Sequence, residues 1–237
     1  MKVVVNWSGG KECCLAYHKA VEQGHNVAFL LTFKYMEPYI FHSFPIMELQ
    51  AKAMGTPQLK VEIRNPKDPI QEIHNALARL KKEAGIEGFV TGDIAGAGCA
   101  RVHQVHYELM CDELGMKLIM PLQNPSGDTY DVLKEEILAG LRPIMNCVNS
   151  DYFGEEWLGR ELNEASIKDL KALADRQGID VCSEDGIGYH TMVLDAPFFK
   201  EAIEVGKFSK EIFKARTRSW MYMDSKEVFL KPKKKSS

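Results

Sequence analysis

Over roughly the first 150 residues, short apolar runs alternate with longer stretches in which apolar positions recur at helical spacing. The runs Lys2–Trp7, Asn26–Phe33, Gln58–Ile63, Gly88–Gly92, Lys117–Met120 and Pro143–Val148 predict strands. Between them, Glu12–Gln23, Pro45–Met54, Pro69–Ala84, Val102–Leu114 and Tyr130–Ala139 predict helices. Gly24, Gly55, Gly85, Gly115 and Gly140 each follow one of these helices, at the position where a left-handed C-terminal cap favours glycine. Strand and helix in alternation predict an α/β fold: a parallel sheet with helices on its faces and a ligand cleft at the strands' carboxyl ends. Beyond about residue 150 the pattern changes to a helix-rich stretch over Glu155–Gln177, a strand at Tyr189–Leu194 and a β-ribbon near Trp220–Leu230. The expected division is a larger α/β domain over 1–150 and a smaller C-terminal α+β lobe over 151–237.

Composition changes this picture little, but it removes several alternatives. With 237 residues, 45% of them hydrophobic, there is material for one large α/β domain and a smaller lobe. The 30 basic and 33 acidic side chains leave a net charge near -3, so no general attraction to nucleic acid is expected. Lys231-Pro232-Lys233-Lys234-Lys235-Ser236-Ser237 is the one charge run and reads as a solvated end. The chain enters Val3-Val4-Val5 at once, without an export signal, and no stretch approaches the length of a membrane span, so a cytoplasmic protein is expected. Six cysteines without a C-x-x-C pair read as reduced thiols.

The first predicted strand runs into Ser8-Gly9-Gly10-Lys11-Glu12-Cys13 and then a helix. Two adjacent glycines let the backbone turn sharply and approach an anion, and the first N–H groups of the helix face it. Ser8 adds a hydroxyl and Lys11 a positive charge, which suits a pyrophosphate.

Ser8–Cys13 resembles the S-G-G-x-D-S loop of the N-type ATP pyrophosphatases, with Glu12 in place of aspartate and Cys13 in place of serine. Four further segments resemble one branch of that superfamily, the diphthine–ammonia ligase family. They are Leu49-Gln50-Ala51-Lys52-Ala53-Met54-Gly55, Val90-Thr91-Gly92-Asp93-Ile94, Glu156-Trp157-Leu158-Gly159-Arg160-Glu161-Leu162 and Tyr189-His190-Thr191-Met192-Val193-Leu194-Asp195-Ala196-Pro197. The resemblance covers roughly residues 1–200 and implies a Rossmann-like (HUP-type) fold that binds ATP and Mg²⁺. It implies adenylation of a carboxylate, release of pyrophosphate and amide formation with ammonium or an amine. The acceptor implied is diphthine on elongation factor 2, or a small-molecule acid in a bacterial branch associated with cobalamin metabolism. Ser8, Gly9, Gly10, Lys11, Glu12, Cys13 and Asp93 are the expected nucleotide-binding residues, and Asp93 is also the expected metal ligand. Lys11, Asp93, Glu184, Asp185 and His190 are the expected catalytic residues, with Arg160, Gly186, Tyr189 and Thr191 contacting the substrate.

Two segments depart from the family's pattern. Its second motif reads approximately E-G-G-E-[FY]-[EH]-T, whereas Glu184-Asp185-Gly186-Ile187-Gly188-Tyr189-His190-Thr191 is one residue longer and lacks the second glutamate. After Asp93, Ala95-Gly96-Ala97-Gly98-Cys99-Ala100 intervenes before Arg101, and predicts a lip at a strand's carboxyl end. Bland readings stand beside the sharp ones: Asp93 as a helix cap, Glu184 and Asp185 as an acidic turn, Trp157 as a core anchor. His103 and His106, three residues apart, could share a metal but lack a third ligand with zinc spacing. The rivals to a ligase are a nucleotide-binding sensor that kept the loop without turnover, a sulfur transfer on RNA, and a metal or redox protein. Homodimerisation is left open.

Overall fold

The computed structural model describes residues 1–35, 40–65, 69–94, 100–122, 129–179 and 188–233. The chain forms two compact units. One comprises Met1–Ser8, Glu12–Tyr39 and Thr56–Pro125; the other comprises Gly9–Lys11, Ile40–Gly55 and Ser126–Ser237.

In the first unit, β1 (Lys2–Asn6), β2 (Asn26–Lys34), β3 (Gln58–Glu62), β4 (Gly88–Val90) and β5 (Lys117–Ile119) form one sheet in the order β3-β2-β1-β4-β5, with every pairing parallel. This is the doubly wound order in which the strand sequence reverses at β1, so the carboxyl ends of β1 and β4 flank the topological switch point. The helices are α1 (Lys11–Glu22), α2 (Phe44–Met54), α3 (Pro69–Ala84), α4 (Ala100–Leu114), α5 (Thr129–Leu138) and α6 (Glu164–Gln177). Val4, Leu31, Phe33 and Phe89 of the sheet bury against Ile73, Leu77 and Leu80 of α3 and Tyr107, Met110 and Cys111 of α4. The fold class expected from the alternating pattern is present. The glycines at 24, 55, 85, 115 and 140 all have positive φ, as expected.

The second unit is built on antiparallel strands. β6 (Arg142–Asn149), β7 (Tyr189–Asp195), β9 (Phe208–Lys214) and β10 (Ser219–Ser225) form a sheet of order β7-β6-β10-β9, and β8 (Glu201–Val205) pairs with β11 (Val228–Pro232). One face is covered by α5 and α6, where Leu133, Ile167, Leu170 and Leu173 pack on Met145, Val148 and Met221. Asn163 caps α6: its Oδ1 accepts from the Ala165 and Ser166 N–H groups at 3.0 and 3.1 Å, and Ser166 Oγ accepts from the Asn163 N–H at 2.7 Å.

Two expectations are corrected here. The run Pro143–Val148 is a strand but does not extend the parallel sheet. It is buried from Pro143 to Asn149, and such a run reads the same whether its partners are parallel or antiparallel. Trp220–Leu230 is not a ribbon closed on itself, because β10 pairs with β9 and β6 whereas β11 pairs with β8. At the start of the basic tail Lys231 and Pro232 are exposed, with Lys231 ion-paired to Glu204 and Lys233 to Asp195 at 2.8 Å.

Candidate functional site

β1 ends at Asn6 and α1 begins at Lys11, so the glycine pair falls in the turn between the central strand of the parallel sheet and a helix N-terminus. In the first unit, Ser8 Oγ donates to Cys13 Sγ at 3.6 Å. Cys13 is buried, and burial by itself raises its pKa. Hydrogen bonds from Cys14 and Ser8 to the sulfur outweigh that effect and hold the thiol below its ordinary value. Glu12 places a carboxylate in the first turn of α1, where the helix dipole favours it.

β4 brings the second group of expected residues to the same edge of the sheet. Thr91 is fully buried and donates to the Asp93 carboxylate, while the Asp93 N–H donates to Thr91 Oγ1 at 2.9 Å. The other Asp93 oxygen lies 3.4 Å from His103 Nδ1 of α4. Gly92, between them, packs directly on the start of α1. A Cβ there would lie 2.7 Å from Cys13 N and 2.9 Å from Cys13 Cα, so a side chain would push the helix away from the strand. Asp93 is thus held by its neighbours with 21% of its side chain exposed. Among the described residues no group of three His, Cys, Asp or Glu side chains could cage a metal, which leaves the His103/His106 site without its ligands. One oriented carboxylate still suits Mg²⁺, which usually takes one or two carboxylates and completes its octahedron with phosphate oxygens and water.

The second unit fixes the turn itself. Gly9 has φ +76°, and a Cβ there would come within 2.6 Å of Gln50 Oε1 and 2.7 Å of Met192 Cε, so conformation and space both demand glycine. Its carbonyl accepts from the Val193 N–H at 3.0 Å and from Gln50 Nε2 at 2.9 Å, and Gln50 Nε2 also donates to the Val193 carbonyl at 2.8 Å. The Lys11 N–H donates to Thr191 Oγ1 at 3.1 Å. Lys11 Nζ lies 5.7 Å from the centre of the Tyr189 ring and 3.7 Å from Glu136 Oε2 of α5. Tyr189 and Thr191 of β7 therefore lie beside Lys11, and His190 lies between them in sequence.

His190 packs 4.3 Å from Phe41, 5.5 Å from Trp220 and 5.5 Å from His42, ring centre to ring centre. Desolvation, then the nearby charges of His42 and Lys11, lower its pKa to about 3, although the residue as a whole is only half-buried. It is a neutral imidazole at physiological pH, able to orient a ligand or accept a hydrogen bond but not to act as an acid.

Arg160 is held differently. Its guanidinium lies 4.4 Å from the centre of the Trp157 ring and ion-pairs with Asp169, while Trp157 is buried as a core anchor. Glu184, Asp185 and Gly186, and the lip at 95–99, lie outside the described residues.

Two site residues escaped the sequence reading. Gln50 appeared only inside a family segment, and its signal is a polar residue among Ile46, Met47 and Ala51 on the buried side of α2. Glu136 sits four residues after the buried Val132, so it falls on the inner face of α5 where the helical pattern calls for an apolar residue.

Known proteins have similar chains. Residues 1–118 match the family described as the diphthamide synthase N-terminal domain, and residues 128–228 match the diphthamide synthase C-terminal domain. The diphthine–ammonia ligase of Danio rerio is 27% identical over 230 residues, covering 86% of each chain. That of Homo sapiens is 24% identical over 231 residues, covering 86% of this chain and 83% of the human one. Among solved structures, a predicted subunit of tRNA methyltransferase from Methanocaldococcus jannaschii aligns at 18% identity with a TM-score of 0.46, over 83% of this chain and 98% of that one. With both domain models matched in order along the chain, this protein belongs to the diphthamide synthase family.

Proposed function

We propose that the protein is an ATP-dependent carbon–nitrogen ligase of the diphthine–ammonia ligase type. The observation that carries this reading is the Gly9-Gly10-Lys11 turn, at the carboxyl end of the central strand and the start of α1, with Gly9 and Lys11 anchored through Val193, Gln50 and Thr191. A pyrophosphate belongs at such a turn, since the helix N-terminus and the lysine both favour negative charge. The acceptor's carboxylate attacks the α-phosphate, the bond to the bridging oxygen breaks, and pyrophosphate leaves with that electron pair. The resulting acyl-adenylate has a good leaving group. Ammonia, or another amine, adds to the acyl carbon, AMP departs and the amide remains once the nitrogen loses its surplus proton.

The protein's part is to position and to stabilise charge. Ser8 and Lys11 meet the departing pyrophosphate, and Glu12 and Cys13 shape the turn. Asp93, oriented by Thr91 and His103, would hold Mg²⁺, which would offset phosphate charge. Tyr189, neutral His190 and Thr191 form the wall against which acceptor and amine are oriented, with Glu184, Asp185 and Gly186 completing the same motif in sequence. Arg160, tied to Asp169 and Trp157, is assigned to holding that lobe together, with substrate contact a lesser part. The acceptor is a carboxylate on a protein such as elongation factor 2, or a small acid. The work is cytoplasmic; among the described residues no helix is long and apolar enough to cross a membrane.

The test uses ATP labelled at the α-phosphate, with ammonium and candidate acceptors, and separates AMP from ADP. The expected result is AMP, with at least about a hundredfold loss in Lys11→Ala and Asp93→Ala. ADP as the product sinks the mechanism, and tight ATP binding with neither product across the acceptors supports the sensor instead.

A further inference from the structure

Glu136 is the one fully buried carboxylate among the described residues, and nothing in the reaction above uses it. It lies on the inner face of α5 next to the core of Leu133, Met145 and Leu170. A charge in such a place is retained where an opposite charge meets it. Here that charge is the Lys11 ammonium, whose own side chain is only 11% exposed. Lys11 is fixed at both ends, its N–H on Thr191 Oγ1 and its Nζ beside Glu136 and the Tyr189 ring. Among the described residues, the charged or titratable groups around Nζ include Glu136 of α5 and Tyr189 and His190 of β7, and His42, preceding α2, packs on His190.

We propose that Glu136 is the positioning residue of Lys11, a buried counter-charge that keeps the ammonium ionised and aimed so that the glycine-rich turn can meet a nucleotide's pyrophosphate. The inference rests on the reading of Lys11 as a nucleotide-loop residue. Its physical content is a comparison of two forms of the lysine. Without the carboxylate the ammonium loses the counter-charge that lies 3.7 Å from it, which favours the neutral amine or a side chain swung towards solvent. Either result removes a charge-assisted contact to the phosphates while leaving the adenosine end of the nucleotide untouched.

Binding of MgATP and of AMP by calorimetry tests this without knowledge of the acceptor, with thermal melts to confirm folding. Glu136→Gln is expected to weaken MgATP about tenfold and to leave AMP, which lacks the pyrophosphate, unchanged. Glu136→Asp recovers part of the loss, because it restores the charge on a shorter arm. The Lys11→Met/Glu136→Gln double variant, which buries no lone charge, binds MgATP no more weakly than Lys11→Met alone, since Glu136 acts through the lysine. Should Glu136→Gln fail to fold, Glu136→Asp and the double variant carry the test. Wild-type MgATP affinity in Glu136→Gln, equal losses for MgATP and AMP, or a double variant weaker by the product of both losses overturns the proposal. The loop reading fails in a different way, by Lys11→Met binding MgATP as the wild type does.

Discussion

At the scale of single residues, the site depends on groups whose ordinary chemistry has been shifted by burial. His190 is the clearest case. Its imidazole has a pKa near 3 in the fold, below the value of about 6.5 it regains on unfolding. Between those values the unfolded chain binds the extra proton, so this contribution to stability is present above about pH 6.5 and is lost as pH falls towards 3. Two observations are expected. The His190 ring resonances do not titrate between pH 8 and 5, and His190→Gln loses less stability than the wild type between pH 7 and 5 in urea melts. A ring that titrates near pH 6.5 contradicts the packing against Phe41, His42 and Trp220. The glycine-rich turn was legible in the sequence because its features are local: glycine for φ +76° at position 9, a lysine, and a helix start. Gln50 and Glu136 were not, since a buried polar side chain announces only that something must meet it, and its partners lie 41 and 125 positions away.

At the scale of elements, local signals located helices better than strands. The helix ends carried their own chemistry in glycine C-caps and, at α6, in Asn163 and Ser166. Asn163→Ala removes the acceptor for two N–H groups and is expected to cost about 1 kcal/mol in denaturant melts. A change well under half of that places the start of α6 elsewhere. β9 had no such signal. In Phe208-Ser209-Lys210-Glu211-Ile212-Phe213-Lys214 the exposed positions include Phe208 and Ile212, so apolar and polar residues do not alternate with burial. β6 had a signal that could not distinguish between sheets. Burial on both faces sets the apolar run, whereas the direction of the partner strand is set by the connection that brings it there.

For the molecule as a whole, the reading of six reduced cysteines bears on four buried thiols among the described residues, Cys13, Cys14, Cys111 and Cys147. These four are expected to react with a thiol reagent only on unfolding, counted by the absorbance released before and after denaturant; fast labelling of any of them in the folded protein contradicts their burial. The sequence by itself determined the helices, the five strands of the parallel sheet, the glycine-rich turn and the family, because periodicity, caps and turns are properties of neighbouring residues. Tertiary structure alone decided that β6 joins the antiparallel sheet, that β10 and β11 part company, that His190 is neutral and that Lys11 faces a buried glutamate. Each of these depends on which distant surfaces close over a group and remove it from water. Strand direction, desolvation and charge pairing are set by that closure rather than by the order of residues along the chain.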